Sequence, residues 1–121
     1  MNMAQKSELI NFWKENFGFR EIELGAFKEV DRENFIPENL RNAAYHDMPL
    51  PLLRGKTISQ PTTVMIMTHA LELQPGEKVF EIGTGSGYQA AIIAKIIGPK
   101  GKVITTEVVP ELVSFAKQNL R

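Results

Sequence analysis

Cysteine is absent from the 121-residue chain, which removes any disulfide framework, thiolate nucleophile or cysteine-based zinc site. Histidine is scarce: His46 and His69 stand 23 positions apart, too far for a compact histidine metal motif, so no metal ligands are expected. Neither sign of charge is in excess, since 14 Lys and Arg balance 14 Asp and Glu. That balance, with no Lys/Arg run, argues against a dedicated binder of nucleic acid or anionic membranes. Long apolar runs are missing too. The longest, Ala90 to Ala94, is far below the roughly 20 residues of a bilayer span. The opening Met1-Asn2-Met3 is not followed by a basic stretch and a long apolar core, so no leader peptide is expected and a cytoplasmic protein is. Repeats and low-complexity tracts are also absent.

What is present suits one small domain. Residues 4–17 fit an amphipathic helix with Leu9, Phe12 and Trp13 on one face, widened by Ile10 and Phe17. Residues 21–30 suit a second helix, against which Gly25 counts. Residues 31–37 read as a turn region, and residues 38–45 allow one or two helical turns. Pro49, Pro51 and Gly55 interrupt regular structure over residues 46–61, which predicts an ordered loop. Pro61 starts a helix reaching about Leu73, with Val64, Met67, Thr68 and Leu71 along one side.

From Glu77 the pattern becomes α/β: a strand over residues 78–82, an apolar helix over 88–97, and a strand over 102–107. A helix then opens at Pro110, facing inward with Leu112, Phe115, Ala116 and Leu120. This order predicts a right-handed βαβ unit in a parallel sheet. Two parallel strands make a poor complete sheet, so the chain reads as the front part of a doubly wound domain.

Between the first strand and its helix lies Glu81-Ile-Gly-Thr-Gly-Ser-Gly87. Glycine permits a sharp turn and close ligand approach, and the helix N-terminus supplies amide donors. Thr84 and Ser86 add hydroxyls. The spacing of Gly83, Gly85 and Gly87 is G-x-G-x-G, not the G-x-G-x-x-G of dinucleotide folds. Tyr88 after the last glycine rules out a phosphate loop ending in Gly-Lys-Ser/Thr. Glu81 just before the glycines suits a cationic or hydroxyl-rich ligand better than a pyrophosphate. Glu107, 24 positions after Gly83 at the end of the next strand, is placed to hold ribose hydroxyls. The competing assignment is a structural turn beside a solvent-facing glutamate.

The strings Glu81-Ile-Gly-Thr-Gly-Ser-Gly-Tyr-Gln-Ala-Ala91 and Thr57-Ile-Ser-Gln-Pro61, with Arg32-Glu-Asn-Phe-Ile-Pro37 and Ala44-Tyr-His-Asp-Met-Pro-Leu-Pro51, resemble the protein-L-isoaspartate (D-aspartate) O-methyltransferase family. The likeness runs from about residue 25 onward. The glycine string alone points only to class I methyltransferases, and Thr57–Pro61 is the more specific part. The resemblance implies an α/β chain, an incomplete class I S-adenosylmethionine-dependent methyltransferase (Rossmann-like) fold with an N-terminal helical region. Residues 1–60 would form that region and a substrate-side loop, and residues 61–121 the first βαβα part of the cofactor-binding domain. It implies transfer of a methyl group from S-adenosyl-L-methionine to the α-carboxylate of isoaspartyl residues in damaged proteins, whose ester collapses to a succinimide that can reopen as aspartate.

By the same resemblance Ser59 is the active-site serine, and Glu81, Gly83, Thr84, Gly85, Ser86, Gly87 and Glu107 belong to the cofactor site. Val108 after the ribose acid departs mildly from the family pattern. A carboxylate is already a nucleophile, so alignment rather than a strong base is needed. Ser59 then suits a hydrogen-bond donor to the substrate carboxylate, with capping of the following helix as its alternative. Asp47 is expected either to position the loop or, at least as readily, to form a turn before proline. His69 and Trp13 are expected to be packing residues, and Tyr88 to lie either over the cofactor or against the first helix. His46 is a weaker candidate for substrate contact. Against the enzyme stands a non-catalytic, cofactor-binding or self-assembling fragment, whose exposed strand edge is closed by another copy. A nicotinamide dehydrogenase is disfavoured by the glycine spacing.

Overall fold

The computed structural model describes residues 2–121, with side chains from Gln5 onward; Met1, where the leader reading begins, lies outside the described residues. Helix α1 (Asn2–Asn16) buries Leu9 and Trp13. Phe12, expected on the same face, is instead exposed and meets Phe17 edge-on. One helical step is about 100°, so two adjacent aromatic residues cannot both point into a narrow contact. Trp13 takes the inner place because its indole N–H finds Thr62 Oγ1 at 2.9 Å, while its ring packs on Phe27 at 4.6 Å.

Helix α2 (Glu21–Glu29) continues through Gly25. Burial of Leu24, Ala26 and Phe27 outweighs the roughly 1 kcal/mol that a mid-helix glycine costs. Glu23 sits beneath it fully buried, accepting from the Arg20 amide and guanidinium and pairing with His69 Nδ1 at 2.8 Å. Burial raises its pKa, but these partners, led by the Arg20 amide, bring the net below the usual carboxylate range. Two 3-10 turns follow at Arg32–Phe35 and Glu38–Ala43.

The expected loop over residues 46–61 contains a small antiparallel pair, β1 (Leu50–Pro51) with β2 (Thr57–Ile58). It was hidden because each strand has only two residues and β1 contains Pro51. Helix α3 (Pro61–Ala70) ends earlier than expected, and Glu72 turns the chain at φ +50°. Its buried side is Pro61, Thr62, Val64, Met65 and Thr68, whereas Met67 and Leu71 stay half in solvent.

Strand β3 (Lys78–Ile82) pairs in parallel with β4 (Lys102–Thr106), in register from Lys78↔Lys102 to Ile82↔Thr106. Helix α4 (Tyr88–Ile97) crosses between them, and α5 (Pro110–Asn119) follows. The sheet presents Val79 and Val103 to the core. The alternating positions Phe80, Ile82 and Ile104 are bare, Ile82 at 81% exposure. The result is a mixed α/β fold with N-terminal helices and two small unclosed sheets, as in part of a class I Rossmann-like core. Among the described residues no helix is long and apolar enough to cross a membrane.

Candidate active site

The glycine turn is built by its own main chain. Gly83, Gly85 and Gly87 all take positive φ, at +85°, +58° and +90°, a region that costs other L-residues about 1–2 kcal/mol. The amides of Gly83 and Thr84 both donate to Thr106 O, at 2.8 and 2.9 Å, which ties the turn to the end of β4. Gly87 donates to Thr84 O at 2.9 Å and begins α4. A Cβ at Gly87 would stand 3.0 Å from Leu120, so this glycine also lets α5 pack closely.

Glu107 stands just past β4 and staples the turn from behind. One carboxylate oxygen accepts the Gly85 amide at 2.9 Å, and the other accepts Val108 and Val109, each at 3.1 Å. The Gly85 amide, against a smaller opposing effect of burial, holds the Glu107 carboxyl below its ordinary range. Glu81 receives the Thr105 hydroxyl at 2.6 Å. Thr84 is buried with its hydroxyl unpartnered. Ser86 is buried too, and its carbonyl accepts the Asn119 amide at 3.0 Å.

A cleft of about 410 Å³ is lined by this turn, by the Thr57–Ser59 segment and by residues of β3, α3 and α4. Its size falls in the range of about 300–1,000 Å³ typical of small-molecule sites. Ser59, Glu81, Gly83, Thr84, Gly85 and Ser86 all line it. Gly87 and Glu107 lie outside the lining, one under α5 and the other behind the turn. Met67 and Leu71 reach the cleft, which accounts for their leaving the buried face of α3.

Ser59 is exposed and does not cap α3. The N-terminus of that helix is served by Asp47, which accepts the Thr62 amide at 2.9 Å and the Thr62 hydroxyl at 2.6 Å. The fold holds Ser59 by its carbonyl, which accepts Arg32 Nη2 at 2.9 Å. Tyr88 is buried against Phe35 and the Arg32 guanidinium, and it also reaches the floor of the cleft. Burial raises its phenol well above the ordinary value. His46 is exposed and outside the lining, whereas His69 is tied to Glu23. Arg32 and Asp47 carry the loop. Asp47 takes the loop-positioning role weighed from the sequence, whereas Arg32 was not singled out, since its neighbours Asp31 and Glu33 are charged and nothing local marks it for burial.

A family model described as Protein-L-isoaspartate(D-aspartate) O-methyltransferase (PCMT) matches residues 4–121. A Methanopyrus kandleri protein-L-isoaspartate O-methyltransferase is 53% identical over 96 residues, covering 79% of this chain and 42% of that one. Its counterpart from Ignicoccus hospitalis is 48% identical over 118 residues, covering 97% and 56%. Among solved structures, a Plasmodium falciparum protein described as such a methyltransferase in complex with S-adenosyl-L-homocysteine superposes with a TM-score of 0.82 at 29% identity. That match covers 96% of this chain and 54% of the other. The chain thus spans about half the length of the curated relatives it matches.

Proposed function

We propose, from the premise that this chain belongs to the protein-L-isoaspartate(D-aspartate) O-methyltransferase family, that its cleft serves methyl transfer from S-adenosyl-L-methionine to an isoaspartyl α-carboxylate. The observation that carries the reading is that the Ser59 loop and the glycine turn both line one cleft. The residues present suit the cofactor in three ways. The turn leaves a Cβ-free wall at Gly83, Glu81 sets a carboxylate beside it, and the buried Thr84 hydroxyl has an unused hydrogen bond.

S-adenosyl-L-methionine supplies an electrophilic methyl group on a sulfonium. The Glu81 carboxylate gives the cationic ligand a favourable field while Thr105 holds its orientation. Ser59, whose carbonyl is anchored, keeps its hydroxyl for the substrate carboxylate and orients it for in-line attack. Neither group needs to remove a proton, since the substrate carboxylate is already ionised near neutral pH.

Glu107 enters with a constraint. A carboxylate offers about four acceptor positions, and three amides already use its oxygens. Ribose contact therefore uses the remaining position or replaces the Gly85 bond. Next to it Val108, 92% exposed, offers an apolar surface to the adenine side. Substrates are isoaspartyl-containing proteins or peptides in the cytoplasm.

The test is transfer of labelled methyl from S-adenosyl-L-methionine to an isoaspartyl peptide, with the aspartyl peptide as control and titration of S-adenosyl-L-homocysteine in parallel. Isoaspartyl-selective turnover supports the reading. Binding without turnover assigns this chain a cofactor half-site only, and neither signal removes the cofactor assignment.

One observation favours a second reading, a self-assembling fragment closed by another copy. Phe80, Ile82 and Ile104 leave one sheet face bare, and β3 has no further strand partner among the described residues. Light scattering decides it: a dimer that Phe80→Lys dissociates supports the reading, and a wild-type monomer sinks it.

A further inference from the structure

Arg32 is fully buried, and no carboxylate forms a salt bridge with it among the described residues. Removing a guanidinium from water is costly unless its donors are used. Here two of its nitrogens serve the main chain of two separate segments: Nε donates to Ala44 O at 2.7 Å and Nη2 to Ser59 O at 2.9 Å, while Nη1 is buried without a partner among the described residues. The guanidinium carbon lies 5.2 Å from the centre of the Tyr88 ring, and Tyr88 opens α4 directly after the glycine turn. The Arg32 amide is fixed as well, donating at 3.0 Å to a Tyr45 hydroxyl that in turn donates to Glu33 at 2.6 Å.

We propose that Arg32 is the positioning residue of the Ser59 loop, setting its distance from the glycine turn by gripping the Ser59 carbonyl and lying over Tyr88, the residue that follows the turn. The grip takes the Ser59 carbonyl and so leaves the serine hydroxyl unused. Asp47 pins the same segment two residues beyond Gln60, at Thr62, so Ser59 is held between two anchors. Arginine suits this role because its planar fork can bond two carbonyls and stack at once, whereas a lysine ammonium is a single point. Burial draws the Arg32 guanidinium below its ordinary pKa and neighbouring Tyr88 draws it back; an arginine keeps its charge under both influences.

The consequence for catalysis rests on the methyl-transfer reading above, but the mechanical role does not, and the test separates them. Amide hydrogen exchange is measured by segment on the full chain as wild type, Arg32→Lys and Arg32→Met. In Arg32→Met, residues 57–60 should exchange about ten- to a hundredfold faster, while Lys78–Ile82 and Tyr88–Ile97 keep wild-type protection. Arg32→Lys should give an intermediate rate at 57–60, and it decides the matter alone if Arg32→Met does not fold. Wild-type exchange at 57–60 in a folded variant overturns the proposal. So does equal acceleration in every segment, which marks a general brace of the core. Loop exchange that depends on Arg32 in a chain without methyl transfer sustains the positioning role while the functional reading falls. Methyl transfer with unchanged peptide KM and unchanged exchange in Arg32→Met removes the positioning role alone.

Discussion

Replacing Gly83 by alanine separates a glycine that shapes a turn from one that admits a ligand. Gly83 has φ +85°, and a Cβ built there meets no atom within 4 Å. Gly76 is a matched control: it has φ +84°, has equally open surroundings, and lies outside the cleft lining in the turn before β3. Alanine at either position carries the same backbone strain, about 1–2 kcal/mol. For a chain of this size that lowers the melting temperature by about 3–10 °C. Binding should differ, because the new methyl at position 83 stands in the cleft. A methyl forced into a filled pocket costs about 1–3 kcal/mol, a fivefold to 150-fold loss of affinity. The assay is calorimetric titration of S-adenosyl-L-homocysteine into wild type, Gly83→Ala and Gly76→Ala, with thermal unfolding of each. Equal affinity in the two variants refutes the placement of the ligand against Gly83, and unequal stability losses refute the matching of strain.

Four further outcomes follow from the same geometry. Ser59→Ala should change stability by less than about 0.5 kcal/mol, as expected for an exposed side chain without a structural bond, yet lower isoaspartyl methylation at least tenfold in the labelled-methyl assay, about the worth of one hydrogen bond to a charged group. Asp47→Ala should cost about 1–2 kcal/mol in denaturant unfolding, the worth of a helix cap, because both of its oxygens serve Thr62. Glu107 has a folded pKa below its unfolded value, so its contribution is complete above the unfolded value and is lost as pH falls through the folded one. Glu107→Gln should therefore lessen the loss of stability on acidification, followed by Trp13 fluorescence. Gly101→Ala should be among the more damaging glycine changes, since its Cβ would stand 2.7 Å from Glu77 O, and overpacking of about 1–3 kcal/mol should show in the unfolding midpoint.

Much of the fold was legible because it rests on local grammar. The β3–α4–β4 order followed from two short apolar runs, glycines and Gly98-Pro99, and helix α5 from Pro110. Misplaced faces arose where two apolar neighbours competed. Phe12 lost to Trp13 because only the indole has a donor that Thr62 can accept, a partner 49 positions away. Met67 and Leu71 follow helical spacing with Val64, but the packing of α3 chose Met65 for the core and left those two beside the cleft.

For the site, sequence alone determined the glycine turn and the acidic residue that follows the next strand, because positive φ and strand-end placement are properties of a short segment. It also singled out Ser59, through a specific local string. Only the tertiary structure decided what each of these residues touches. Glu107 turned toward the Gly85, Val108 and Val109 amides, and Asp47 capped α3. Arg32 was carried inside to hold Ser59. The Asp47–Thr62, Glu107–Gly85 and Arg32–Ser59 contacts join residues 15 to 27 positions apart. Hydrogen-bond geometry of this kind depends on where packed helices bring the chain together, which a linear pattern does not encode.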